Sequence, residues 1–184
     1  MAFKDYEEMV NTYLKDNSTE VFGNFSSEHA GFIIASFLES AENSVDIFSG
    51  TFADAFYSAK GIDALLIQTA RRLQKNNGRI RIITISGEKS DLLNKLEKEI
   101  NDPKSFSYIS AKFKGAPEPN HFMIVDNMRY RLEAPHPPFD ETSNCIHAEV
   151  CCNGKAKAAE LTHFFDRAWK VLEDKAKEKA VSKK

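Results

Sequence analysis

Residues 118 to 136 read EPNHFMIVDNMRYRLEAPH, and the fold turns on how this stretch is read. HFMIVD has no polar residue between His121 and Asp126, so the strand it predicts is buried on both faces. RYRLE follows and alternates, which sets Arg129, Arg131 and Glu133 on one face of a second strand and Tyr130 and Leu132 on the other. A histidine, two arginines, a glutamate and a second histidine, His136, thus fall within a short span, where they make either a site or a charged strand face.

Downstream, APHPPFDETSN is too rich in proline for an inner strand and reads as a loop carrying His136. IHAEVCC alternates in turn, with His147, Glu149 and Cys151 sharing a face, and a hairpin with RYRLE would bring His147 and Glu149 alongside Arg131. Helical spacing of Ala158, Leu161, Phe164, Phe165, Ala168, Trp169 and Leu172 predicts a long closing helix over residues 155 to 175.

Upstream, SVDIFSG and RIRIITIS are strand runs separated by an irregular TFADAFYSAK and a helical stripe over residues 62 to 75. Strand, helix, strand in that order requires a right-handed crossover between parallel strands. Ser49 and Gly50 close the first of them, and ligands of α/β folds collect at the carboxyl ends of such strands. SDLLNKLEKEIND predicts a serine-capped helix and FSYIS a short strand. Two further helices open the chain, one amphipathic over FKDYEEMVNTYLKDN and one starting at Ser26. The expected class is α/β, a mixed and mostly parallel sheet with helices on both faces. An N-terminal helix occupies residues 1–20, the main domain 21–175 and a basic, disordered tail 176–184.

A chain of 184 residues suits one domain, and 42% hydrophobic with 28% charged residues is the balance of a globular protein. A formal net charge of −2 argues against coating nucleic acid by bulk electrostatics, though not against a local basic patch. Cys145, Cys151 and Cys152 have no metal-site spacing and read as reduced thiols, and no histidine pair has the spacing of a metal site. No metal and no cofactor are expected. Without a signal-peptide core or a run of about 20 apolar residues, a cytoplasmic location is expected.

The element order, with SVDIFSG, GRIRIITIS and HFMIVDN as its strongest points, resembles the phospholipase D-like domain over residues 28 to 172. In that family a nucleophilic histidine, a lysine two residues on and an aspartate five beyond the lysine lie on a strand and the turn after it. Set on Asp126, the pattern puts His121 at the lysine and Pro119 at the histidine; set on His121, it puts Met123 at the lysine and Met128 at the aspartate. Neither register holds all three residues, and the first fits better.

An imidazole attacking a phosphodiester needs another group to hold the charge that develops on phosphorus. Arg129 or Arg131 would supply it from the neighbouring strand, with Glu133 orienting a histidine. Catalytic candidates are therefore His121, Arg131 and Glu133, and ligand-binding candidates Ser49, Arg129, His136 and His147. The alternative is a solvated strand face of ion pairs worth little.

The resemblance implies a bacterial module that has lost the family's catalytic set and binds, senses or assembles around a phosphate-bearing or nucleic-acid ligand. The competing readings are a phosphodiesterase or nuclease with a rearranged site, and an interaction subunit with a protein partner. Because the family assembles its site from two copies of the motif and this chain has one, a homodimer is expected with the edge around His121 near its axis.

Overall fold

A computed structural model describes residues 2–50, 52, 54–59, 61–88, 90–113, 117–135 and 147–181. In chain order its elements are α1 (Phe3–Lys15), β1 (Val21–Asn24), α2 (Ser27–Ser40), β2 (Ser44–Ser49), α3 (Asp54–Ala59), α4 (Ile62–Lys75) and β3 (Arg79–Thr84). They continue with α5 (Asp91–Ile100), β4 (Phe106–Ser110), β5 (His121–Val125), β6 (Arg129–Glu133), β7 (Ala148–Cys151) and α6 (Lys155–Val181). The strands make one sheet in the order β1-β7-β6-β5-β2-β3-β4.

Local chemistry accounts for most boundaries. Ser26 caps α2 by accepting from the His29 N–H at 3.1 Å, and Ser90 caps α5 through the Leu93 N–H at the same distance. Asp126 and Asn127 join β5 to β6 with φ of 54° and 52°, a pair of left-handed residues that matches the twist of a tight hairpin.

That hairpin corrects the expected sheet. β2 pairs with β3 and β3 with β4 in parallel, as the crossover requires, but the β2–β5, β5–β6, β6–β7 and β7–β1 pairs are all antiparallel. The three-residue connection of residues 126–128 can join only antiparallel strands, so everything beyond β5 reverses the expected balance. β1 and α3 were not foreseen, and α6 runs on to Val181, through residues expected to be tail.

Helices cover both faces. One face, with Val45, Ile47, Ile80, Ile82, Met123 and Val125, packs under α1, α2, α4 and α5. The other, with Phe48, Ile83, Phe122, Ile124 and Tyr130, packs on Ala158, Leu161 and Phe165 of α6. Cys151 and Cys152 are buried in opposite layers, as alternation requires, while Cys145 lies outside the described residues.

α1 is fixed to α2 by Tyr6, whose ring stacks on His29 at 3.7 Å and 6°. α6 is fixed to the sheet by Arg81, which donates to Asp46 and Asp166 at 2.8 Å and lies over the Phe165 ring at 4.8 Å. No helix among the described residues is long and apolar enough to cross a membrane.

The Asp126 carboxylate accepts from the backbone N–H groups of Glu42, Asn43 and Ser44 at 2.9, 2.7 and 2.9 Å, and its own N–H donates to the Ser44 carbonyl at 3.0 Å. One side chain therefore ties the β5–β6 turn to the entry of β2. Asp126→Ala removes a charged acceptor from three donors and puts alanine at positive φ, so it should lower the unfolding free energy by about 2–4 kcal/mol. Urea unfolding measures this, and a loss below about 0.5 kcal/mol would show that the turn holds without its carboxylate.

Candidate functional site

Strand register decides which side chains meet. Asn24 stands opposite Ala148, Ala148 opposite Glu133, and Glu133 opposite His121, so these four form one row on the α1–α2 face. Phe48 of β2 pairs with Phe122, which brings Ser49 beside His121, and Ser49 pairs with Thr84. A polar row thus crosses the end of an otherwise apolar face.

His121 is 7% exposed although it begins its strand. A Cβ added to Gly50 would stand 2.7 Å from His121 Nε2, so the imidazole packs directly on the backbone just past β2. Nε2 also lies 3.5 Å from Oε1 of Glu118, whose side chain is 47% exposed. His121 is a buried base with one polar edge turned to a reachable carboxylate.

Arg131 and Glu133 are equally buried, at 6% and 7%, which overturns the solvated-face alternative for both. Arg131 donates from Nη1 to Glu133 Oε2 at 2.8 Å and from Nε to Asn24 Oδ1 at 2.9 Å. A guanidinium in an apolar layer needs such partners, and β1 exists at this position to supply one. Tyr57 of α3 and Tyr6 of α1 close over the pair. Burial pushes both phenols up, Arg131 opposing the shift in each case and Glu133 reinforcing it for Tyr57.

The remaining candidates divide. Arg129 shares the face of Arg131 but sits at the far end of β6, 3.5 Å from Asp126, away from His121. Ser49 is half-buried in the polar row. His147 is exposed, and its companion Glu149 pairs with Leu132 and accepts from the Tyr130 hydroxyl at 2.5 Å. Both therefore face the α6 side, opposite Arg131. The hairpin with RYRLE formed, but its register put them on the wrong face, where they line a shallow groove of about 480 Å³ with Val21 and Leu132. His136 lies outside the described residues.

Sequence reasoning missed Asn24, Gly50 as a packing partner, Tyr57, Thr84 and Glu118. Only Thr84 had a visible signal, a polar residue near the carboxyl end of a confident strand. Its hydroxyl is buried without a hydrogen-bond partner among the described residues. No group of three or more metal-ligating side chains converges among the described residues.

No protein-family model matches the sequence, and no curated protein does. Solved structures do match. Nuc from Salmonella typhimurium, a phospholipase D family member, superposes with a TM-score of 0.60 over 82% of this chain and 94% of its own, at 18% identity. The chain has a phospholipase D-like fold. NucT from Helicobacter pylori superposes at a TM-score of 0.57 over 80% of this chain and 95% of its own, with 12% identity. TrmBL2, an archaeal chromatin protein with a novel mode of DNA binding, reaches 0.55 over 91% of this chain at 15% identity. This chain spans 60% of the length of TrmBL2. At such identities the likeness is one of fold, which leaves function to the site.

Two variants separate structural from site roles. Arg131→Ala leaves the Glu133 carboxylate buried beside Asn24 and should cost about 3–5 kcal/mol of stability. Gly50→Ala puts a methyl group 2.7 Å from His121 Nε2, so it should displace the ring, move the His121 signals in a histidine-selective NMR spectrum and cost about 1–3 kcal/mol of stability. An unchanged His121 signal in Gly50→Ala would remove Gly50 from the site.

Proposed function

We propose that this phospholipase D-like chain is a catalytically degenerate binding module, holding a phosphate-bearing ligand, with nucleic acid as its leading class, at the end of β2 beside His121. The observation that carries this reading is the commitment of Arg131 to Glu133 and Asn24. The one guanidinium near enough to replace the missing lysine is already neutralised. Met123, next on the same face of β5, stands opposite Arg131 and offers no charge. His121 can hold an anion here, but among the described residues no second cation stands ready to stabilise a phosphorane.

A rearranged phosphodiesterase or nuclease is the competing reading, favoured by Glu133 standing across the ladder from His121. The DNA binding stated for TrmBL2 supports a nucleic-acid ligand under either reading. The proposed pairing of two chains is constrained by the sheet. β5 is the fourth of seven strands and the His121 face lies under helices, so two copies would meet only at the rim formed by the strand ends.

Titration with a short DNA oligonucleotide, followed by gel and phosphohistidine assays, tests the proposal. Binding without cleavage is expected, weakened at least about tenfold in His121→Ala. Cleavage together with a phosphohistidine at His121 would establish the enzyme, and no binding to any phosphodiester would leave the interaction subunit.

A further inference from the structure

The loop before β5 carries Glu118 between Pro117 and Pro119. Each proline fixes its own φ, and Pro119 also restricts Glu118 to extended backbone, so the glutamate sits on a stiff tether three residues from His121. Its Oε1 lies 3.5 Å from Nε2 of His121 and 3.3 Å from the point where a Cβ on Gly50 would stand. The carboxylate thus rests on the imidazole edge and the bare backbone past β2.

That is the place where an oxygen of a bound phosphate would have to sit. The His121 side chain is 9% exposed and that of Glu118 47%, so the carboxylate is the solvent-reachable half of the pair. Such a half-exposed pair contributes little to stability, and its displacement is correspondingly cheap. A carboxylate offers a single negative charge, whereas a phosphate monoester brings up to about two and three acceptor oxygens.

We propose that Glu118 is a tethered internal anion, seated on His121 in the free chain, which an incoming phosphate group must displace. It sets the affinity of the site, and a terminal phosphate monoester displaces it more readily than an internal phosphodiester, whose single charge only matches that of the carboxylate. This rests on the reading of His121 as an anion seat, deepens it by naming the competing residue, and can fail separately.

The test uses inorganic phosphate and the full chain. Without phosphate, Glu118→Gln should shift the His121 ring signals, because an isosteric amide replaces the charge on Nε2. With phosphate, followed by calorimetry, Glu118→Gln should bind about three- to tenfold more tightly than the parent, and Glu118→Gln combined with His121→Gln should lose the gain. Equal or weaker binding by Glu118→Gln, with the parent still binding, would overturn the gate and leave the anion site standing. Unchanged His121 signals would do the same. If neither the parent nor Glu118→Gln binds phosphate, the anion site and the gate both fall.

Discussion

The whole arrangement depends on one carboxylate. Asp126 holds the turn between β5 and β6 in a left-handed conformation and binds the three backbone N–H groups that lead into β2. Those contacts span more than eighty residues of sequence, so they fix β5 against β2 in a single register. His121 reaches the backbone after β2 only in that register. The aspartate that sets the motif register is here an acceptor for three backbone N–H groups, and the position of the histidine follows from it.

The second constraint is the burial of Arg131. A guanidinium inside a sheet face must be paired, and the chain pairs it twice, with Glu133 on its own strand and with Asn24 on an added edge strand. The cluster is buried and its charges are paired. That is a suitable wall for a site that binds an anion through a histidine and a poor one for a reaction that must build up negative charge on phosphorus. On the proposed reading, absence of catalysis and retention of shape are two aspects of one set of contacts.

The strands on either side of β2 were legible because HFMIVD and RIRIITIS carry unambiguous apolar runs, and the serine caps at Ser26 and Ser90 mark helix starts by local chemistry alone. The parallel bias of the expected sheet failed because a single tight turn, Asp126–Asn127, decides the direction of β6 and everything paired beyond it. β1 was invisible for a different reason: VFGN is four residues long, too short for alternation to register, and its place is set by Arg131 more than a hundred residues away. His147 and Glu149 show the limit of pattern reading. Their alternation was right and their strand does pair with β6, but register alone chooses the face, and no periodicity encodes it. Glu118 could not be found from sequence because its role depends on where a loop folds back.

The account stands on where a phosphodiester sits and whether it survives. A crystal structure of the chain soaked with a dinucleotide tests this most directly. A phosphate oxygen within hydrogen-bond distance of His121 Nε2, beside Gly50, with Glu118 turned aside and the ester bond intact, is the predicted result. A phosphate in the groove beside His147 and Glu149, or a phosphorus atom bonded to the His121 imidazole, would contradict it.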